Sequence, residues 1–215
     1  MSRFSPRALI FDMDGLLVDS EPLWHHVERA FCAARGGDWT DEMALACTGQ
    51  GIGRIVHIMG ERFGFEVDEA RDVAELEDRF LAEVETLSLK PFARVFLDEA
   101  RGRLPIGLAS SSPRRLIDAS LKRFGITDHF DVTVSGQEVP RAKPWPDVYQ
   151  RAAERLLVEA AACLALEDSK NGARAAKAAG MRVIAVPEGD FVAFEEIADV
   201  VVRSLEEARG LVRLP

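Results

Sequence analysis

The chain has 215 residues, 47% of them hydrophobic and 29% charged, the balance of a folded globular protein and not of a disordered one. Its 36 acidic against 27 basic residues give a formal charge of -9. That excludes a general nucleic-acid backbone binder, but not a small anionic substrate held by a few local cations and a bound metal. Three scattered cysteines, Cys32, Cys47 and Cys163, form no CxxC pair and read as reduced thiols of a cytoplasmic protein. An acidic residue, Asp12, interrupts the N-terminal region early, as no signal peptide would, and no apolar run approaches the roughly 18 residues of a membrane span.

Taken in chain order, short apolar runs alternate with helical patterns. The runs are Ala8–Phe11, Ile106–Ala109, Val132–Val134, Cys163–Leu166, Val183–Val186 and Val200–Val202. Continuous apolar runs of this length suit strands buried on both faces of a parallel sheet. Between them lie helical stretches at Arg114–Phe124, Pro146–Leu157 and Gly172–Ala179, with Gly125 and Gly180 placed where helices stop. The alternation predicts a Rossmann-like, doubly wound α/β sheet.

One interval breaks the rhythm. About ninety residues separate Phe11 from Ile106, whereas a parallel crossover needs only about a dozen. The interval reads as helices at Pro22–Arg35, Asp41–Thr48, Ile52–Phe63 and Asp68–Leu87. The expected organisation is an α/β core of residues 1–17 and 90–215 carrying an inserted helical domain of residues 18–89, with Pro22 and Lys90-Pro91 marking the hinges.

Ligands of doubly wound sheets bind outside the carboxyl ends of the strands, so the polar residues after each run belong to one census. They are Asp12 and Asp14 after the first run, Ser110, Ser111 and Ser112 after the second, Lys143-Pro144 after the third, and Glu167, Asp168 and Ser169 after the fourth. Singly, each has a bland reading as a turn, a helix cap or a solvated lysine. Together they converge four carboxylates, a lysine and a hydroxyl on one sheet edge. Carboxylates that close repel unless a cation sits among them, and oxygen donors of this kind suit Mg²⁺.

The segments FDMDGLLVDSEPLW, LASSSP, AKPWPDVY and ALEDSKNG resemble the four motifs of the haloacid dehalogenase-like hydrolase superfamily, in its sugar-phosphate branch with a small helical cap. The resemblance implies Asp12 as the nucleophile that forms an aspartyl-phosphate and Asp14 as the general acid and base. It further implies Ser110, Ser111 and Lys143 as phosphate-binding residues. Asp12, Asp14 (through its backbone carbonyl), Glu167 and Asp168 would hold Mg²⁺. A proton donor at Asp14 suits an alkoxide leaving group and not a halide. The interval 18–89 contains no lysine for the Schiff base of the phosphonate-cleaving branch.

In the expected cap, Thr48-Gly49-Gln50-Gly51-Ile52-Gly53-Arg54 forms a Gly-rich turn, and Gln50 and Arg54 are candidate contacts for sugar hydroxyls or a second anionic group. Trp24 and Trp39 read as packing residues. DSEPLW resembles the sugar phosphatases, whereas the related β-phosphoglucomutases place a histidine where Trp24 stands. The expected function is a Mg²⁺-dependent phosphatase of small phosphorylated metabolites, sugar or polyol phosphates. The alternatives are a sugar phosphomutase and a non-catalytic binding protein. A small phosphorylated molecule is the expected partner, with neither nucleic acid nor membrane, in a monomer.

Overall fold

The computed structural model describes residues 4–47, 50–189 and 191–215. The chain divides into two compact units, one of Met1–Asp19 with Ser88–Pro215 and one of Ser20–Leu87.

The first unit is built on a six-stranded sheet. Its strands are β1 (Ala8–Phe11), β4 (Ile106–Ser110), β5 (Val132–Ser135), β6 (Cys163–Glu167), β7 (Arg182–Ala185) and β8 (Val200–Val201). All neighbours are parallel, in the order β5-β4-β1-β6-β7-β8. The chain starts mid-sheet, builds outward through β4 and β5, then crosses to β6 on the other side of β1. That reversal is the topological switch point, where a doubly wound sheet opens its crevice. The expected fold class is thus the observed one. Two further strands, β2 (Val18–Asp19) and β3 (Ser88–Leu89), pair antiparallel as a small separate ribbon within the expected strandless interval.

The two sheet faces differ in side-chain size. Ala8 and Ile10 of β1, Ala109, Val134, Cys163, Ala165, Val183 and Ala185 share one buried cluster with Tyr149, Ala152 and Ala153 of α7 (Asp147–Leu156) and Ala173 and Ala176 of α8 (Lys170–Ala178). The alternate residues Leu9, Phe11, Leu108, Leu164 and Leu166, also buried, point the other way, and Phe11 meets Phe96 of α5 (Ala93–Ala100) edge to face at 5.2 Å. Small residues on both partners let α7 and α8 lie close to the sheet, which brings α7 within reach of its carboxyl edge. Helix α6 (Arg114–Phe124) ends on Gly125 in the left-handed conformation, and Gly180, also at positive φ, follows α8. Helix α9 (Leu205–Leu211) closes the chain. Neither α5 nor α9 stood out in the sequence.

The second unit contains α1 (Glu21–Ala33), α2 (Asp41–Cys47), α3 (Ile52–Phe63) and α4 (Glu69–Ala82). Pro22 lies in the first turn of α1, a favoured helix-start position, close to the Ser20 start of this unit. Trp24 stacks on Phe80 at 4.5 Å and Trp39 is 1% exposed, so both tryptophans pack as expected. Arg35 lies 3.6 Å over the Phe31 ring and binds Asp72 and Glu75. Thr48 and Gly49 of the expected Gly-rich turn lie outside the described residues.

This unit buries three acids, Glu28, Asp72 and Glu77. Glu28 is 5% exposed and accepts a hydrogen bond from the Trp39 indole at 3.1 Å. Burial pushes its carboxyl up to about 7, although the indole donor pulls the other way. The unfolded chain ionises near 4.5 and the folded one near 7, so stability falls as pH rises across that window and is level above it. Glu28→Gln keeps an acceptor for the indole and removes the ionisation. We expect it to remove the Glu28 share of this pH dependence and to stabilise the protein at pH 8 by about 1–3 kcal/mol in denaturant unfolding.

Candidate active site

The carboxyl edge of β1 sets the frame. The Asp12 backbone N–H still donates to the Leu166 carbonyl at 3.1 Å, so the residue is fixed by the sheet itself. Parallel pairing of Phe11 with both Leu108 and Leu166 brings Asp12 level with the ends of β4 and β6. Lys143 comes from the loop before α7. Its ammonium lies 2.6 Å from Asp12 Oδ1 and 2.6 Å from Glu167 Oε1, with only 5% of its side chain exposed.

Glu167 is fully buried at the end of β6, with both oxygens engaged. Oε1 also accepts the Tyr149 hydroxyl at 2.6 Å, and Oε2 accepts the backbone N–H and hydroxyl of Ser169 at 3.2 and 3.0 Å. The Ser169 hydroxyl in turn caps α8. Asp12, Glu167 and Asp168 each present an oxygen within 4.8 Å of the others, a hard-donor set that fits Mg²⁺. The chain makes room for it at Gly15, where φ is +76° and a Cβ would lie 2.0 Å from Asp168 Oδ2; only a glycine lets the backbone pass that close to the carboxylate.

Burial pushes the Asp12 carboxyl up to about 7; Lys143 pulls it down, while Glu167 and Asp14 push it further up. Burial alone would depress the Lys143 ammonium, but Asp12 and Glu167 outweigh it and hold it above the ordinary lysine value. Burial and the neighbouring carboxylates likewise keep Tyr149 well above the usual phenol value, so it serves as a donor.

Asp14 has a different environment. Its Oδ2 accepts the Ser112 hydroxyl at 2.7 Å and the Ser110 hydroxyl at 3.2 Å, while Ser110 Oγ accepts the Ser112 backbone N–H at 3.0 Å. Ser111, between them, is exposed. The structure therefore brings together Asp12, Asp14, Ser110, Lys143, Glu167 and Asp168. Gln50 and Arg54 belong to the helical unit, where the Gln50 N–H donates to the Cys47 carbonyl and Arg54 pairs with Glu61 at 3.6 Å on an exposed surface.

Ser112 and Tyr149 acquire roles that sequence reasoning missed. Ser112 stood in the serine run without a role. Tyr149 carried one usable signal, being the chain's single tyrosine on the apolar face of a helix, since a buried phenol needs an acceptor.

The haloacid dehalogenase-like hydrolase family model matches residues 6–180. The chain belongs to this family. It is 39% identical over 214 residues to hexitol phosphatase B of Escherichia coli (strain K12), covering 93% of each protein. It is 33% identical over 182 residues to the phosphorylated carbohydrates phosphatase of Thermotoga maritima, covering 82% of this chain and 83% of the relative. Among solved structures, CbbY of Rhodobacter sphaeroides in complex with xylulose-(1,5)bisphosphate superimposes with a TM-score of 0.84 at 28% identity, covering 97% of this chain and 100% of that one. Among the described residues of this hydrolase no helix is long and apolar enough to cross a membrane.

Tyr149→Phe should leave the fold intact but remove a charge-assisted bond from buried Glu167, at a cost of about 1.5–3 kcal/mol. Thermal denaturation checks this: the midpoint should fall by roughly 3–10 °C.

Proposed function

We propose that the chain is a Mg²⁺-dependent phosphatase that hydrolyses small phosphorylated metabolites, sugar or polyol phosphates, through an aspartyl-phosphate on Asp12. The observation that carries this is the separation of partners between two aspartates two residues apart. Asp12 faces an ammonium, whereas Asp14 is held by two serine hydroxyls. That is a division between a nucleophile beside a cation and a proton-transfer group.

An Asp12 oxygen attacks phosphorus as the bond to the substrate's alkoxide breaks. Protonated Asp14 gives its proton to that alkoxide, and the alcohol departs. Asp14, now a carboxylate, takes a proton from water as the water oxygen attacks phosphorus and frees Asp12 and inorganic phosphate. Lys143, beside Asp12, neutralises charge on the nucleophile and on the transferring group. Asp12, Glu167 and Asp168, with the Asp14 backbone carbonyl that the family resemblance adds, would hold Mg²⁺, which supplies further neutralisation of phosphoryl oxygens when bound. Ser110 and Ser111 are assigned to the phosphate. The cap role of Ser20–Leu87, with Gln50 and Arg54 as substrate contacts, belongs to the same proposal. The relatives named hexitol phosphatase B and phosphorylated carbohydrates phosphatase support sugar and polyol phosphates as the substrate class.

Asp12→Asn should reduce phosphate release to background with the fold retained, and Asp14→Asn should lower kcat/KM on a sugar phosphate by about 10²–10⁴. Phosphate assays across sugar and polyol phosphates, with Mg²⁺ and with chelator, check both. Turnover retained in Asp12→Asn would overturn the assignment, and net isomerisation without free phosphate would make the protein a mutase. Because Asp12 titrates near 7 and must lose its proton to become a ligand, Mg²⁺ affinity of the substrate-free protein should rise between pH 6 and 8, with proton release on binding. Calorimetry in buffers of different ionisation enthalpy measures it.

A further inference from the structure

The two hydroxyls that hold Asp14 come from Ser110, the last residue of β4, and Ser112 on the loop that follows, and that loop is gripped from one side. Ser135, the last residue of β5 and fully buried, donates its hydroxyl to the Ser112 carbonyl at 2.6 Å. Gly136 is pressed against the same loop: a Cβ there would lie 2.8 Å from the Ser111 carbonyl oxygen and 3.1 Å from its Cα, both backbone atoms that cannot swing aside. The exposed Gln137 accepts the Arg114 backbone N–H at 3.1 Å. Glu138 accepts the Ser135 N–H at 3.1 Å, pairs with the Arg114 guanidinium, and pairs with Arg155 at 2.7 Å. Four consecutive residues thus hold Ser111, Ser112 and Arg114, and none of the four is an acid, base or phosphate contact of the mechanism above.

We propose that Ser135–Glu138 is a positioning clamp that fixes the Ser110–Ser112 loop so that the Ser112 hydroxyl meets Asp14, and thereby sets the orientation of the general acid. The proposal rests on the phosphatase reading. The chain of contacts runs from Ser135 through the Ser112 backbone to Asp14 Oδ2, and the last step spans 2.7 Å. A displacement of about an ångström there misdirects proton transfer while leaving Asp12 and Lys143 in place. The clamp therefore has a chemical signature that loss of stability alone does not produce. Alkyl phosphates need a proton on the departing oxygen, whereas the phenolate of p-nitrophenyl phosphate leaves without one.

The experiment compares kcat/KM for p-nitrophenyl phosphate with that for the best sugar or polyol phosphate, with Mg²⁺, in the wild type and in Ser135→Ala, Gly136→Ala and Gln137→Ala. kcat/KM reports the step in which the alcohol departs, so the later hydrolysis of the intermediate does not enter. Gly136→Ala acts through the backbone and Gln137→Ala alters an exposed side chain, so the series does not depend on the folding of Ser135→Ala. Expected is a rise of about tenfold or more in the aryl-to-alkyl ratio for the folded variants, a part of the 10²–10⁴ typical of general acid catalysis, and in the same direction as for Asp14→Asn. An unchanged ratio in folded Gly136→Ala and Gln137→Ala, whether both activities fall together or neither falls, overturns the clamp and leaves the phosphatase reading standing. A wild-type protein silent on both substrates overturns the phosphatase reading itself, and the clamp's catalytic meaning with it.

Discussion

The structure turns on one buried ammonium. Lys143 lies at 2.6 Å from two carboxylates that belong to different strands, and without it Asp12 and Glu167 would face each other across the centre of the sheet with little water to separate them. Its charge is offset only in part, because Asp168 and Asp14 add two more acids to the same edge. One cation among four acidic residues leaves a site that attracts a second cation and a substrate that arrives with one. The rest of the unit keeps that imbalance in place. Tyr149 and Ser169 fix Glu167, Ser110 and Ser112 fix Asp14, and the β1–β6 pairing fixes Asp12.

Much of this was legible in the sequence because the central strands are buried on both faces and therefore read as continuous apolar runs. The chemistry-bearing residues lie after those runs, closely so for all but Lys143, and Asp12, Asp14, Ser110, Lys143, Glu167 and Asp168 could be named together. What stayed hidden depends on partners far along the chain. The pairs Val18–Asp19 and Ser88–Leu89 are too short to show a period and exist only because each completes the other. Helices α5 and α9 span 8 and 7 residues, about two turns, which gives a helical period little room to repeat. Ser112 looks no different from its neighbours until Ser135, 23 residues away, is seen to hold its carbonyl.

The two faces of the sheet explain why a tyrosine reaches the site at all. Alanines on α7 and α8 meet small residues of the strands, and the close approach places the start of α7 beside the end of β6. On the opposite face leucine and phenylalanine fill the space. The site is thus supplied from the carboxyl ends of the strands, the loops that follow them and one closely packed helix.

Sequence order has a consequence for the protein as it is made. The serine partners of Asp14 follow it by 96 and 98 positions, and Lys143 follows Asp12 by 131. Strand β1 cannot take its central place until both β4 and β6 exist, so the carboxylates are gathered only after the lysine that balances them has been synthesised. A growing chain on the ribosome therefore cannot pack Asp12 against Glu167 before their counter-charge exists.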